Sequence, residues 1–228
     1  MLTAIILRLS VELNFVFICS FIKQQIKTKF NSIDNLNIIA VSKTFPITEI
    51  EPLLKHGHSH FGENKIQEAL DKWTNVKNNF ENTKLHMIGK LQSNKVKFLI
   101  PLFDYLHSLD NIKLAEKISK EQIKHKKKIK IFIQVNIGNE EQKNGIKINE
   151  LENFYRTCVN QLGLNIIGLM CLPPMKQDVR PFFKKIRELN LALGLKELSM
   201  GMSSDYLEAI ELGSSFIRVG SKIFGNRN

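Results

Sequence analysis

The stretch from Ile129 to Met170 gives the clearest indication of how this 228-residue chain folds. It opens with the apolar run IKIFIQV (residues 129–135) and closes with NIIGLM (residues 165–170), and the residues between them include a helical pattern over Asn149–Gln161. Two parallel strands need a crossover connection, which is usually a helix. Near-continuous apolar strands are typical of a parallel sheet that is covered on its outer face. The stretch therefore predicts a β–α–β unit.

The same alternation of short apolar runs and amphipathic stretches continues on both sides of this unit. It predicts eight strands, at Asn37–Val41, Ser59–Phe61, Leu85–Ile88, Tyr105–Ser108, Ile129–Val135, Asn165–Met170, Glu197–Met200 and Phe216–Val219. The other predicted helices are Thr48–Lys55, Ile66–Trp73, Asn94–Leu99, Asn111–Lys124, Val179–Ala192 and Tyr206–Glu211. In the first of these, Thr48 is the expected N-cap, and Glu51 completes a capping box.

Eight strand–helix units in about 200 to 250 residues are typical of a single (β/α)8 barrel. An open doubly wound sheet is the alternative, but the glycine-rich turn that follows its first strand is absent. The chain contains no Ser/Gly-rich linker, repeat or low-complexity tract, so we expect one domain over residues 1–228. Residues 1–22 are apolar but are interrupted by Arg8, Glu12 and Asn14. We interpret residues 1–30 as a helical segment that continues through Phe21–Phe30 and packs on the barrel; a membrane segment is the alternative.

The formal net charge of +11 raises the question of a nucleic-acid partner. The lysines are spread along the chain, and the densest run, Lys124–Lys130, contains no aromatic residue that could stack on a base. We therefore expect neither a nucleic-acid nor a membrane partner; an RNA-binding module, the alternative, would bind with a strong dependence on salt. Cys19, Cys158 and Cys171 form no CxxC pair, which indicates no disulfide framework, no metal site and a cytoplasmic location.

Polar residues lie at the predicted carboxyl ends of these apolar strands, where barrels carry their functional groups. The most informative of them is Lys43, which lies two residues after the end of the strand NIIAV. A lysine amine that loses solvation becomes a nucleophile for aldehydes. Taken alone, Lys43 fits better with a strand-end lysine whose amine reaches water.

The last two predicted strands favour the interpretation of Lys43 as a reactive amine, because each of them is followed by a turn rich in Gly and Ser. The turns are Ser199–Ser204 and Gly220–Ser221, and in barrels this pair of loops frequently binds a phosphate. The Ser203 and Ser221 hydroxyls are possible donors, and Arg218 would add a permanent positive charge; ordinary turn and capping chemistry is the alternative. A lysine and a phosphate site at the same end of the barrel indicate that the ligand is a phosphorylated aldehyde. Pyridoxal phosphate is the common cofactor of this kind.

With these residues in place, the chain resembles a known family. The motifs that carry the resemblance are AVSKTFP (40–46), HFGENKIQEALDKW (60–73), LHMIGKLQSNK (85–95), FIQVNIGNEEQKNGI (132–146), GLM (168–170) and LSMGMSSDYLEAIELGSSFIRVGSKIFG (198–225). They closely resemble the pyridoxal phosphate homeostasis protein family, from about Asn37 to Arg227. The resemblance implies a single barrel similar to the N-terminal domain of alanine racemase, with the cofactor bound as a Schiff base on Lys43.

The resemblance also implies the surroundings of the cofactor. The phosphate would lie near Ser203, Arg218, Gly220 and Ser221, with Ser199 and Gly201 in the preceding strand and turn. Asn64, His86, Asn136 and Met170 would surround the ring or the mouth, although His86 fits equally well as a satisfied strand-end histidine and Met170 as core. The chain departs from the family at Lys65, which replaces the aromatic of the GENY pattern, and in its apolar first 30 residues.

Two functions are compatible with such a site. A cofactor reservoir or carrier in vitamin B6 homeostasis needs only Lys43, a phosphate site and an open mouth, and its partners would be pyridoxal phosphate and apo-enzymes that use it. An amino-acid racemase needs two positioned acid/base groups. In alanine racemase the second one comes from a C-terminal domain, as the resemblance implies, and we expect that domain to be absent here. We therefore expect a non-catalytic binder, a monomer rather than a stable oligomer, with weak racemase activity as the alternative.

Overall fold

The computed structural model describes residues 16, 19–30, 35–140, 142 and 144–225. Eight strands form a closed barrel in chain order, and every pair of neighbours, including the first and the last, is parallel. The strands are β1 (Asn37–Val41), β2 (His60–Glu63), β3 (Lys84–Met87), β4 (Tyr105–Leu109), β5 (Lys130–Val135), β6 (Ile166–Cys171), β7 (Glu197–Met202) and β8 (Phe216–Val219). The predicted (β/α)8 barrel is confirmed.

Helices surround the barrel and connect its strands. The first, α1, covers residues 19–30. The others are α2 (Ile47–Lys55), α3 (Ile66–Trp73), α4 (Val96–Leu102), α5 (Ile112–His125), α6 (Leu151–Arg156), α7 (Arg180–Ala192), α8 (Tyr206–Glu211) and α9 (Ser221–Phe224). Short 3₁₀ turns occupy Lys77–Asn79, Ser93–Lys95 and Ile148–Glu150, and a π-helical turn occupies Thr157–Gln161.

Alternation along each strand divides the apolar residues between two cores. Inside the barrel, Ile39 and Val41 of β1 pack with Phe132, Met170 and Phe216. The intervening residues point outward and join the larger core beneath the helices. Because successive side chains of a strand point to opposite faces, the odd-numbered residues of β1 enter the barrel. Lys43, which follows β1, continues this inward series at the carboxyl end.

Helix α1 packs on the outside of the barrel through Cys19, Ile22 and Ile26, which are buried. The Tyr206 hydroxyl of α8 donates a hydrogen bond to Gln25 Oε1 at 2.6 Å. The remainder of the predicted N-terminal segment, residues 1–15, 17 and 18, lies outside the described residues. Within the described part of the chain, no helix combines the length and apolar character needed to span a membrane.

The structure corrects several predicted boundaries. The predicted N-cap, Thr48, is wrong: α2 begins at Ile47, its N-cap is Pro46, and no side chain caps it. The fixed backbone of a proline suits a helix start, so the N-cap lies two residues earlier than predicted. By contrast, Asn111 caps α5 by accepting a hydrogen bond from the Leu114 N–H at 2.9 Å. The predicted helix Asn149–Gln161 consists of the 3₁₀ turn, α6 and the π turn in succession.

Candidate functional site

A cavity of about 750 Å³ opens at the carboxyl ends of the strands. It is lined by residues at the ends of β1, β6, β7 and β8 and by residues of the loops that follow these four strands, β2 and β3. Seven of the predicted site residues line it together: Lys43, Asn64, Met170, Ser203, Arg218, Gly220 and Ser221. A volume of this size lies within the range of sites for small molecules and cofactors.

Lys43 reaches this cavity from the first residues after β1, and it is half-buried. Its two neighbours fix the backbone on either side. The Ser42 N–H donates to the carbonyl of Gly62 at 3.0 Å, which continues the β1–β2 ladder. Thr44 has a φ of 69°, a left-handed conformation that is unusual for a β-branched residue, and its N–H donates to the Glu68 carboxylate. The lysine is therefore held between a strand end and a strained turn.

A charged cluster, with Glu63 and Lys72 buried and Glu68 partly exposed, lies behind this turn. The Lys72 ammonium donates to the Ser42 carbonyl at 2.9 Å and contacts the carboxylates of Glu63 at 3.0 Å and Glu68 at 3.1 Å. Glu63 Oε1 also accepts hydrogen bonds from the Ser42 hydroxyl at 2.7 Å and from Trp73 Nε1 at 3.0 Å. Residues from β2 and α3 thus bind both neighbours of Lys43. We refer to Ser42, Glu63, Glu68 and Lys72 as the lysine-anchoring cluster.

Arg218 lies in the wall of the cavity, on β8, and is only 5% exposed. Its guanidinium donates to the Ser199 hydroxyl at 2.6 Å and to the carbonyls of Ser199 and Cys171 at 2.9 and 3.0 Å. Burial lowers the pKa of Arg218, but an arginine stays protonated in proteins. It therefore places a permanent positive charge at the cavity.

The turns after β7 and β8 meet at one side of the cavity. The Gly220 N–H donates to the Ser203 hydroxyl at 3.3 Å, and the short helix α9 starts at Ser221. Ser204 lies beside Ser203 and also lines the cavity. Three hydroxyls and a helix start near a buried guanidinium are groups that bind anions such as phosphate.

Four of the predicted site residues do not line the cavity. His86, Ser199 and Gly201 are buried in or around the barrel interior. His86 is an inward residue of β3 one layer below the mouth, and Ile88 takes the position at the cavity. The Asn136 side chain is engaged in the loop after β5, where its amide bonds the Glu140 carbonyl at 2.8 Å and the Glu140 N–H at 3.1 Å. Their proposed roles at the ligand stay predictions.

The structure also adds residues that the sequence prediction missed. They are mainly apolar: Val41, Phe45, Ile88, Leu172, Met202 and Gly225, together with Ser204. Ile88 and Leu172 each lie two positions after an inward residue, so the two-residue period of a strand was the available signal. Phe45 stacks on Phe224, with ring centroids 4.9 Å apart, and that contact between distant segments has no local signal.

Two other kinds of site have little support in this molecule. Among the described residues, no group of His, Cys, Asp and Glu side chains has the arrangement needed to hold a metal ion. Cys19, Cys158 and Cys171 are all buried and free. Burial raises the pKa of the Cys158 and Cys171 thiols to about 12, so neither is a reactive thiolate at neutral pH.

Comparison with known proteins places the chain in a family. Residues 22–228 match the family model described as the alanine racemase N-terminal domain. The pyridoxal phosphate homeostasis protein of Aquifex aeolicus (strain VF5) is 37% identical over 199 residues, which cover 83% of this chain and 86% of that protein. The protein of the same name from Escherichia coli (strain K12) is 32% identical over 204 residues, which cover 86% of this chain and 87% of that protein.

Solved structures agree with the sequence matches. PipY of Synechococcus elongatus PCC7942, solved with pyridoxal phosphate bound, superposes with a TM-score of 0.83 at 29% identity, covering 92% of this chain and all of that one. Alanine racemase from Clostridium difficile 630 superposes with a TM-score of 0.70 at 14% identity, covering 94% of this chain and 57% of that one, which shows a shared fold. Together with the extent of the sequence matches, these results show that the chain belongs to the pyridoxal phosphate homeostasis protein family.

Proposed function

We propose that this chain binds pyridoxal 5'-phosphate in the cavity at the barrel mouth and serves as a reservoir or carrier of that cofactor. The observation that carries the proposal is that Lys43 and the serine-rich turns after β7 and β8 line one cavity. The cavity therefore contains a primary amine, hydroxyl donors and the fixed positive charge of Arg218. The pyridoxal phosphate bound to PipY supports the proposal, because that protein has the same fold and 29% identity to this chain.

The lining residues fit the chemical parts of this cofactor. Lys43 would hold the aldehyde as a Schiff base, with release of water. The Ser203 and Ser221 hydroxyls, near Gly220, would donate to the phosphate, and Arg218 would add positive charge. Apolar side chains that include Val41, Ile88, Met170 and Leu172 offer surface to an aromatic ring, and Asn64 lies among them. Bound pyridoxal phosphate supplies an aldehyde and an electron-withdrawing ring.

A carrier role is supported over racemase activity by the groups at the cavity. Racemisation needs two positioned groups that exchange protons. Of the described residues that line the cavity, Lys43 and Arg218 are the ones with an ionisable side chain, and an arginine does not give up its proton in proteins. We propose that the protein acts in the cytoplasm, as a monomer, and passes its cofactor to apo-enzymes. The free buried cysteines support a reducing compartment.

The absorption spectrum of the protein tests cofactor binding. We expect a violet band after incubation with pyridoxal phosphate, and reduction with borohydride should leave a phosphopyridoxyl group on Lys43 in peptide mass mapping. Lys43→Ala should abolish the band and the adduct. Lys65→Ala is the matched control, because Lys65 lies on the same side of the barrel, is exposed, and does not line the cavity. A reducible adduct that persists in Lys43→Ala would show that another amine holds the aldehyde.

A second experiment separates a carrier from a racemase. The loaded protein is incubated with L-alanine in D₂O, and the Cα–H signal is followed by NMR. A carrier should exchange this proton no faster than free pyridoxal phosphate does. In parallel, the loaded protein should restore activity to an apo-aminotransferase. Alanine exchange that depends on Lys43 and exceeds that of the free cofactor would establish the racemase alternative.

A further inference from the structure

A row of polar side chains crosses the barrel interior beneath the cavity. His60 of β2, His86 of β3 and His107 of β4 are linked in sequence: His60 Nδ1 lies 2.9 Å from His86 Nε2, and His86 Nδ1 lies 2.9 Å from His107 Nε2. His107 Nδ1 lies 2.8 Å from the hydroxyl of Ser199 on β7. That hydroxyl accepts from the Arg218 guanidinium at 2.6 Å. Four short hydrogen bonds therefore join His60 to the cation at the cavity.

The direction of these hydrogen bonds follows from the arginine. A guanidinium only donates, so the Ser199 oxygen accepts from Arg218 and its own proton is available for His107 Nδ1. His107 must then carry its proton on Nε2 and donate to His86 Nδ1. By the same step, His86 carries its proton on Nε2 and donates to His60 Nδ1. In the reverse arrangement the Ser199 proton would need another acceptor, and no other is within reach of this hydroxyl among the described residues.

Packing holds the rings in the planes that these bonds require. The His86 ring stacks on Tyr105 with centroids 4.2 Å apart, and the His107 ring stacks on Phe132 at 4.4 Å. His86, His107 and Ser199 have no exposed surface. Burial lowers the pKa of both histidines well below its usual value, and the positive charge of Arg218 lowers that of His107 further. Each histidine ring is therefore neutral, with one nitrogen that donates and one that accepts, as hydrogen bonds running in a single direction require.

We propose that Ser199, His107 and His86 are positioning residues for Arg218, locked with every ring proton on Nε2, so that the guanidinium is held in one place at the mouth. This inference rests on the proposed function, because it assigns Arg218 to the bound cofactor. At its other end, the row of hydrogen-bonded histidines reaches a second cavity. His60 borders a small cavity of about 200 Å³ at the amino ends of the first strands, beside Lys23, Asn37 and His58.

Ring-nitrogen NMR of the protein without added ligand tests the direction of the hydrogen bonds between the histidines. In the ¹⁵N-labelled protein at neutral pH, we expect His86 and His107 to carry their ring protons on Nε2. A scalar coupling should join the nitrogens of each His–His pair across the hydrogen bond. This measurement needs no variant. A proton on Nδ1 of either His86 or His107 would overturn the inference.

Ser199→Ala tests whether the hydrogen-bonded row of Ser199 and the histidines positions Arg218. We expect the dissociation constant for pyridoxal phosphate to rise about tenfold, as for loss of a hydrogen bond to a charged group, while the violet band still forms. Arg218→Ala should weaken binding at least as much. The His86 ring signals should also shift in Ser199→Ala, although Ser199 does not contact His86, and a merely structural serine would not move them. Ser199→Thr, which keeps the hydroxyl, should restore both properties.

The matched control is Ser108→Ala, since Ser108 is a buried strand serine whose hydroxyl donates to the Gly89 carbonyl outside the chain of histidines. It should leave the His86 signals and the affinity unchanged. If Ser199→Ala behaves as this control does, the positioning role is wrong. If the wild-type protein forms no violet band at all, the proposed function fails instead, and the ring-nitrogen spectrum still decides whether the chain has the inferred order.

Discussion

At the scale of single residues, Gly201 shows a packing requirement at a residue that the sequence also assigns to the cofactor site. It was predicted to lie at the ligand, in the turn after β7. In the structure it has a φ of 91°, and a Cβ added there would lie 2.5 Å from the Cβ of Ala209 in α8. Glycine adopts this conformation at little cost, and its missing side chain lets α8 approach the barrel. Gly201 does not line the cavity, but its packing against α8 fixes the strand end that leads to Ser203.

Gly201→Ala is accordingly expected to destabilise the protein by about 3 kcal/mol, because backbone strain and overpacking add. The free energy of unfolding in urea measures this. Gly163→Ala is the matched control, since Gly163 also has a positive φ, of 62°, but an added Cβ would meet nothing within 4 Å. We expect it to cost only about 1 kcal/mol. Equal losses in the two variants would show that the contact with Ala209 is unimportant.

At the scale of secondary-structure elements, α3 holds the end of β1 through the lysine-anchoring cluster. Lys72 and Glu63 side chains are only 7% and 0% exposed, so this ion pair is removed from water. A buried charge without its partner is costly, whereas an exposed pair contributes little. The cluster also binds the backbone on both sides of Lys43, so its loss should affect the position of that amine as well as stability.

Lys72→Met should therefore lower the free energy of unfolding by about 3 to 5 kcal/mol, and the surviving folded protein should form the violet band more weakly. Lys55→Met is the matched control. Lys55 also pairs with a glutamate four residues earlier, Glu51 at 3.2 Å, but the two side chains are 66% and 42% exposed. We expect this loss to stay below about 1 kcal/mol. A loss of similar size in Lys72→Met would show that the anchoring cluster contributes no more than a surface pair.

At the scale of the whole molecule, burial of histidines makes stability depend on pH. Burial lowers the pKa of His58 and of His60 to about 4, and that of His86 and His107 well below the ordinary value. In the unfolded chain each would titrate near pH 6.5. Between about pH 6.5 and pH 4 the unfolded state therefore binds more protons than the folded state, and stability falls as the pH falls.

Urea unfolding at pH 7 and pH 5 should show a clear loss of stability at the lower pH. Each histidine with a pKa of about 4 contributes roughly 2 kcal/mol to the difference. His58→Gln should reduce the difference by about that amount, because glutamine does not titrate. His56→Gln, at an exposed histidine two residues earlier, is the control. An unchanged pH dependence in His58→Gln would mean that His58 is not buried in its neutral form.

Sequence patterns alone were enough to predict the barrel, because alternating apolar strands and amphipathic helices act over a few residues and repeat along the chain. It also identified Lys43 and the serine-rich turns, since each lies within one local motif next to an apolar strand. Seven predicted residues, among them Asn64 and Met170, line the cavity for this reason. Their contacts with the cofactor stay predictions, which the spectral and mutational experiments test.

The face that each strand-end residue occupies, and the distant residues that it contacts, became known from the three-dimensional structure. Successive side chains of a strand point to opposite faces, so moving the predicted end of a strand by one residue changes the face that its last side chain occupies. The strand β2 was predicted at Ser59–Phe61 but runs from His60 to Glu63, and Glu63 points away from the mouth toward Lys72 and Trp73. The contact of His107 with Ser199 joins residues 92 positions apart. Such contacts depend on closure of the barrel, and no local pattern encodes the three-dimensional distance between two strands.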